Sequence, residues 1–506
     1  MTMTTQPSQT QPDGINRERL FVASCFALAV SAVAFAVIGD ILATLKTQFI
    51  LSNLQVGYIG GAAVWGFTIS ILIFGPLCDT LGMRFLLRSA VVCHVVGVLI
   101  MISSSGFWML FWGALVLSLG NGLVEAACNP LVATLFPDNK TVKLNQFHVW
   151  WPAGIVLGGL ASYGLNAAGF GSWQLRLGLI LIPAVIYGFL MMRESFPETE
   201  NAQAGVGFGE MIRTTISTPL FLLMLFAMFI TASIELGPNR WIPAVLESGG
   251  IPGILILVWI SGLMAVLRLW ASGPLIRRLS PTGILVISTA LASIGLLWLS
   301  FAESGVVAFA SATVFALGIC FIWPTMLGFV SERIPKSGAL GLALMGGAGM
   351  GVVGLVAAPL LGQLADGIAH ERFASSETIL YLERASAFLT AEMESVPADQ
   401  RGDVSKSVVL IENVLTYNDT EGVLPEVETA NAYRAIIGSG VKGEIVDEAE
   451  ATLGPAENYG GRLSFRFLVP LGIFVTLIFA LIYRNDKRRG GYQSQVDKEA
   501  AEMRPA

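Results

Sequence analysis

The sequence predicts an all-α membrane protein with about twelve transmembrane helices in two pseudo-symmetric six-helix bundles. Three observations lead there. The 506 residues are 54% apolar and only 13% charged, against roughly 25% charge in soluble domains, and mean hydropathy is +0.69. The apolar residues come in runs of about 20, the length that crosses a bilayer as a helix closing its own backbone hydrogen bonds. Finally, a loop text that follows the second run returns after the eighth.

In chain order, the first 19 residues are polar, with no apolar core before Leu20. The first span is therefore expected to insert as its own signal. Apolar runs lie at roughly 20–44, 54–78, 86–104, 107–136, 146–168 and 173–192. After a polar interval come runs at roughly 219–239, 251–276, 283–302, 305–332, 339–364 and 462–484. The expected organisation is a tail and N-terminal bundle (1–192), a cytoplasmic linker (193–218), a C-terminal bundle (219–484) and a cytoplasmic tail (485–506). Alternate connecting segments carry Arg17, Arg19, Arg84, Arg88, Lys140, Lys143, Arg193, Arg213, Arg277, Arg278, Arg333, Lys336 and Lys487 to Arg489. The short loops on the other side hold little more than Lys46 and Arg240. By the positive-inside rule both termini are expected in the cytoplasm of a multi-pass inner-membrane protein.

The halves echo each other. GPLCDTLGMR (Gly75 to Arg84) follows the second span and GPLIRRLSPTG (Gly273 to Gly283) the eighth, while Pro130 near the end of the fourth span has Trp323-Pro324 in the tenth. Duplication on this scale implies two bundles about a pseudo-two-fold axis, with a site between them near mid-membrane. One segment breaks the symmetry. Residues 366–461 hold 18 Asp and Glu against 6 Lys and Arg, so this acidic extracytoplasmic insert carries −12 in a chain of net charge −6. Ile379, Leu382, Ala385 and Leu389 mark an amphipathic helix within it. It reads either as a solvated lid or spacer, or as a binding module.

Polar side chains inside apolar runs are the site candidates. Asn121, Glu125 and Asn129 recur every four residues, one face of a helix, and Pro130 next to them is expected to kink or loosen it. A charged Glu at mid-membrane costs about 2.5–3.5 kcal/mol, so it should face protein or water. It is either functional or a hydrogen bond joining helices. Glu235 and Asn239 at the end of the seventh span suit a binding or outer-gate role, or an ordinary interface pair. Arg268 in the eighth span is an anion ligand, a partner for Glu235, or a snorkelling side chain. Trp65, Trp150, Trp151 and Trp323 could stack on the apolar face of a sugar, or anchor and pack as most membrane tryptophans do. His94 reads as a satisfied core histidine, and His148, which could relay protons, as structural because it lies close to the inner surface. The cysteines Cys25, Cys78, Cys93, Cys128 and Cys320 read as small buried residues. No metal-ligand spacing, phosphate-cradling loop or nucleophile triad occurs, so an enzyme, a cofactor, a metal and a nucleic-acid partner are not expected.

GPLCDTLGMRFLLR resembles the loop signature of the major facilitator superfamily, G-x-x-x-D-x-x-G-x-[RK]. Gly75, Asp79, Gly82 and Arg84 match it, and Thr80 stands where a basic residue is usual. The resemblance implies that these residues gate the rocking of the bundles, with Asp79 capping a helix start and pairing with a nearby Arg. A closer likeness is to the fucose–galactose–glucose proton symporter family. It rests on GDILATLKTQFILSNLQVGYI (Gly39 to Ile59), LGNGLVEAACNPLVATL (Leu119 to Leu135) and Leu144-Asn145. Asp40 and Glu125 take the positions of the family's two acids, which implies sugar binding and proton coupling. Gly39 stands where Asn is usual, and His148 to Pro152 departs from the family's fifth-span text. The expectation is secondary active uptake of a small polar solute, a monosaccharide, with protons, by a monomer in a lipid bilayer. The alternatives are efflux or organic-anion carriage, and a transporter-derived sensor that uses the insert.

Overall fold

The computed structural model describes residues 14–49, 53–203, 205, 207–246, 253–373, 375–397 and 400–493. Its regular elements among those residues are all helical. Among the described residues nine helices are long and apolar enough to cross a membrane, and two shorter apolar helices accompany them. With Trp150–Ala167 they make twelve spans.

Spans 1 to 4 are Arg17–Gln48, Asn53–Phe74, Met83–Ile102 and Phe107–Leu135. Span 5 is broken into Lys140–Phe147 and Trp150–Ala167, and span 6 into Trp173–Gly178 and Leu181–Met191. Two linker helices, Glu200–Gln203 and Phe208–Ser217, lead to spans 7 to 9: Pro219–Val245, Gly253–Trp270 and Ser272–Leu299. Span 10 is broken into Gly305–Ile319 and Ile322–Arg333. Span 11 runs from Gly338–Val352 through a π turn, Val353–Ala357, into Ala358–His370. Span 12 joins Glu444–Ser464 to Val469–Arg488 through Phe465–Leu468. Local chemistry sets the starts: Asn16 caps span 1 by accepting from the Arg19 N–H at 3.1 Å, and Pro219 opens span 7 where its missing donor costs nothing. Pro130 does not interrupt span 4, which stays one helix to Leu135. Span 10 instead breaks at Cys320 and Phe321, ahead of Pro324. The two prolines are thus not structural counterparts.

The loop echo is a structural one. Gly82, eighth residue of its text, has φ 80° and ψ 143°. Ser280, eighth of the other, has φ 62° and ψ 160° inside span 9. Ser280 is the one described non-glycine residue with positive φ, a strained choice for an L-residue. Each residue bends the chain into the helix that follows. Helix pairing repeats as well. Spans 1–5, 1–6, 2–4, 3–4 and 3–6 pack together, and so do 7–11, 7–12, 8–10, 9–10 and 9–12. Across the interface span 2 packs on 11 and span 5 on 8, while 4 meets 11 and 5 meets 10. Each cross-contact therefore has its two-fold mate.

The bundles are closely apposed at the end carrying Arg84, Lys140 and Arg333, called here the basic end. A Cβ on Gly75 would lie 2.0 Å from that of Ala343, and one on Gly328 only 2.7 Å from the Thr141 Cα. Asn145 Nδ2 donates to Thr325 Oγ1 at 3.2 Å, and Thr141 donates to Glu332 Oε1 from its N–H at 3.1 Å and its hydroxyl at 2.6 Å. The tail folds back over this seam, where the Tyr492 hydroxyl donates to Glu332 Oε2 at 2.6 Å. Burial and the Glu332 carboxylate push the Tyr492 phenol well above its ordinary range.

The insert has a core of its own. Helices Ser375–Glu392, Arg401–Glu421 and Glu426–Gly438 enclose Leu382, Leu389, Val404, Ile411, Tyr433 and Ile436. The rings of Phe373, Tyr433 and Tyr381 stack in parallel, with centroids 5.2 and 5.0 Å apart. Residues 366 and 461 are not boundaries in the backbone. Ala358–His370 runs through the first and Glu444–Ser464 through the second. The two helices pack together, with Gly460 against the Ala365 carbonyl and Ala369. Arg434 fastens this hairpin by pairing with Asp366 at 2.6 Å and Glu457 at 2.7 Å.

Candidate functional site

Two connected chambers lie between the bundles. The larger has about 1090 Å³ of free space, its mouth included. Ser31, Ala34, Phe35 and Ile38 of span 1 form one wall, at the i, i+3, i+4, i+7 spacing of a helix face. Trp151 and Ile155 of span 5, Glu235 and Asn239 of span 7, and Leu257, Ser261 and Met264 of span 8 complete it. The smaller chamber, about 410 Å³, is lined by Phe67, Glu125, His148, Trp151, Glu235, Leu236, Arg268, Trp323 and Met350. Glu235 and Trp151 line both.

The charged side chains of the small chamber form a chain across the interface. Glu125 is 5% exposed, and its Oε2 accepts from Asn129 Nδ2 at 2.5 Å. Its Oε1 faces His148 Nε2 at 3.9 Å. Arg268, 2% exposed, spreads its fork over three acceptors. Nε donates to the Cys320 carbonyl at 2.5 Å, Nη1 to the His148 carbonyl at 2.9 Å, and Nη2 lies 3.6 Å from Glu235 Oε1. Both carbonyls sit at helix breaks, in span 10 and span 5. The guanidinium therefore satisfies backbone acceptors that the breaks set free. Arg268 is a partner for Glu235, and it does not snorkel.

The sequence profile of the Major Facilitator Superfamily matches residues 24–359. The chain belongs to the major facilitator superfamily. The hexose transporter HXT13 of Saccharomyces cerevisiae is 33% identical over 158 residues, which cover 29% of this chain and 27% of that protein. The glucose transporter GlcP of Staphylococcus epidermidis is 28% identical over 150 residues, 29% of this chain and 31% of that protein. The matches thus span less than a third of the length of either relative. Among solved structures, the E. coli fucose:proton symporter FucP superposes with a TM-score of 0.54 at 15% identity, covering 90% of this chain and 98% of that one. The proton:xylose symporter XylE gives 0.56 at 15% identity, over 69% and 88%. At such identities the likeness is one of fold.

Within this superfamily fold the sequence candidates divide. Glu125, Glu235, Asn239, Trp151, Trp323, Arg268 and Asn121 border the chambers. Asn121 also accepts from His94 at 3.0 Å, and the other ring nitrogen of His94 meets the Tyr187 hydroxyl at 3.0 Å. Asn129 lines neither chamber and instead holds Glu125. Asp40 lies outside as well. Its Oδ2 accepts from Ser162 at 2.6 Å and from Arg176 of span 6 at 2.9 Å. Trp65 is 38% exposed and packs on Tyr58 rather than on either chamber. The side chain of Arg240 lies outside the described residues. Sequence reasoning missed Ser31, Phe35, Ile38, Ser261 and Met264, and it took His148 as structural.

The gating set lies at the basic end. Gly75 is the close approach to span 11, and Gly82 supplies the positive φ before span 3. Asp79 sits in the first turn of the short helix Cys78–Leu81, facing the linker segment Ser195 to Thr199. Burial raises its carboxyl above the ordinary range, and the Thr199 and Asn201 side chains pull it back. The expected pairing with an arginine is not made, since among the described residues Asp79 has no ion-pair partner and Arg84 points outward. Asn201 reaches across to the Lys336 carbonyl at 3.1 Å. The Asp79 loop therefore meets span 11 through the linker.

Proposed function

We propose that the chain is a secondary active transporter that takes up a monosaccharide together with protons by alternating access. The observation that carries this is Glu125. It is a buried carboxyl on the wall of a central chamber, with no Lys or Arg paired to it among the described residues and His148 at 3.9 Å, in a two-fold pair of bundles sealed at the basic end. Such a group can load and release a proton as the site changes sides. The sugar comes from the relatives, and the wall suits it: Trp151 and Trp323 offer flat faces, while Glu235 and Asn239 offer acceptors to hydroxyls. In this reading the basic end, both termini and the linker are cytoplasmic, and the insert projects outside the inner membrane. Residues 1–192 and 219–484 rock as two bodies of a monomer, about a gate at Gly75, Asp79, Gly82 and Arg84. Asp40 with Arg176 braces the outer shoulder. Carriage of an organic anion would need a free Arg268, whose donors are directed at two carbonyls and Glu235. A sensor would need a ligand site in the insert, whose residues line neither chamber.

The test is proteoliposomes loaded with D-glucose or L-fucose. Glu125→Gln, which mimics the protonated acid, is expected to keep counterflow near the wild-type rate. Uptake against a gradient should fall to background under an imposed proton gradient. Uphill uptake by this variant would overturn the coupling assignment.

A further inference from the structure

His148 occupies the break in span 5 and is 4% exposed. Its Nδ1 lies 2.9 Å from the Leu144 carbonyl oxygen. A carbonyl can only accept, so Nδ1 carries hydrogen, and a neutral ring then has a bare lone pair at Nε2. Among the described residues that atom has no hydrogen-bond partner, and it faces Glu125 Oε1 at 3.9 Å. Lone pair against carboxylate oxygen is repulsive. A proton on the carboxyl makes the contact attractive, with Oε1 donating and Nε2 accepting. The other carboxyl oxygen is already occupied by Asn129, so Oε1 is the one open to the proton. The remaining charged groups on this chamber are Glu235 of span 7 and Arg268 of span 8, which neutralise each other within the C-terminal bundle. Glu125 and His148 must therefore balance alone. Without a proton they carry −1, and with one they are neutral, which is what a desolvated chamber favours.

We propose that a single transported proton is held between Glu125 Oε1 and His148 Nε2, and that His148 receives it and hands it on. This rests on the transport reading above. The seat of the proton is tied to the gate. Arg268 holds the His148 carbonyl from the opposite bundle, so rocking that parts span 5 from span 8 releases the broken turn on which the ring sits. The proton's partner moves when the bundles move.

The test is pH-difference infrared spectroscopy of the full chain in liposomes, followed through the carboxylic-acid C=O band, with no solute present. Glu125→Gln is expected to abolish the band, and Glu235→Gln to leave it. In His148→Phe the band should shift to the higher frequency of an acid without an acceptor, and its proton affinity should fall roughly tenfold, about one pH unit. His148→Asn can still donate to the Leu144 carbonyl while lacking Nε2, so it should show the same shift if the Phe variant does not fold. A band unchanged in the folded His148 variants, or lost in Glu235→Gln in place of Glu125→Gln, would overturn the proposal. The spectrum needs no substrate, so failure of every hexose to be taken up would sink the sugar reading and leave this one standing.

Discussion

At the basic end the two bundles meet through direct hydrogen bonds and backbone contact, whereas at the chambers they face each other across open space. Across the seam Thr141 donates to Glu332 and Asn145 to Thr325, with Tyr492 on the other oxygen of Glu332, and Gly75 and Gly328 bring the bundles within touching distance; Asn145 Oδ1 and Arg333 Nε stay unpaired among the described residues. Around the chambers Ser31 Oγ, His148 Nε2, Glu235 Oε2 and Asn239 Oδ1 are buried without a hydrogen-bond partner. Buried polar atoms are ordinarily paired, and each orphan costs about 1–3 kcal/mol. The difference teaches that one end is held by direct contacts between the bundles, while the other keeps free space beside polar atoms. Rocking must trade the first set for the second.

The comparison breaks most severely at Gly328. Its added Cβ would meet the Thr141 side chain and backbone at 2.3 and 2.7 Å, and a backbone clash cannot be relieved by a rotamer. Gly328→Val is expected to hold the seam apart. A cysteine at position 325 should react with a water-soluble maleimide from the basic side roughly tenfold faster or more, while uptake falls to background. Continued protection of that cysteine would mean that the seam yields more easily than the glycine contact implies.

A smaller effect is expected inside the chambers. Asn239→Ala removes a chamber acceptor that has no partner among the described residues, so sugar affinity should drop by about 1–2 kcal/mol, roughly five- to thirtyfold. Maleimide protection at the seam should not change. Equal affinity in a titration of purified protein would remove Asn239 from the site.

Asp40→Asn tests whether matching a family acid outweighs position. The carboxylate holds Arg176 and is 39% exposed, so losing it should cost about 1–2 kcal/mol of thermal stability after screening by water. Sugar affinity should stay within about threefold. The reverse pattern, lost affinity at an unchanged melting temperature, would bring Asp40 back into the binding site. The mildest change is Arg434→Ala in the insert, which loses a half-exposed pairing worth about 1 kcal/mol. Proteolysis of the insert should quicken while uptake stays within twofold, and an equal loss of uptake would join the insert to transport.

The fold was legible because length and repetition are written in the chain: runs of about 20 apolar residues, and a loop text whose eighth residue takes the same backbone turn as Gly82 or as Ser280. Glu125, Glu235 and Arg268 stood out because charge is rare inside such runs. The chamber wall on span 1 did not, since every face of that helix is apolar and a membrane offers no polar contrast by which to orient it. Asp40 was placed by text, and text says nothing about the Arg176 that reaches it from span 6. The breaks at His148 and Cys320 carry no Pro or Gly at the point of rupture. They lie four residues before Pro152 and Pro324, whose missing N–H leaves just these two carbonyls without a helical donor; that Arg268 takes up both is what no local pattern encodes.

Span 12 with its extension runs 45 residues from Glu444 to Arg488. At 1.5 Å per residue it measures about 68 Å, more than twice the roughly 30 Å of a bilayer's hydrocarbon. The excess is bound to the extension of span 11 and crowned by a packed core, so it cannot bend independently of the bundle below it. A tilt of the C-terminal bundle too slight to register at the chambers is therefore magnified at the far tip, as by the needle of a dial. An antibody fragment or a dye carried there would report the turnover of single molecules without touching the path of the solute.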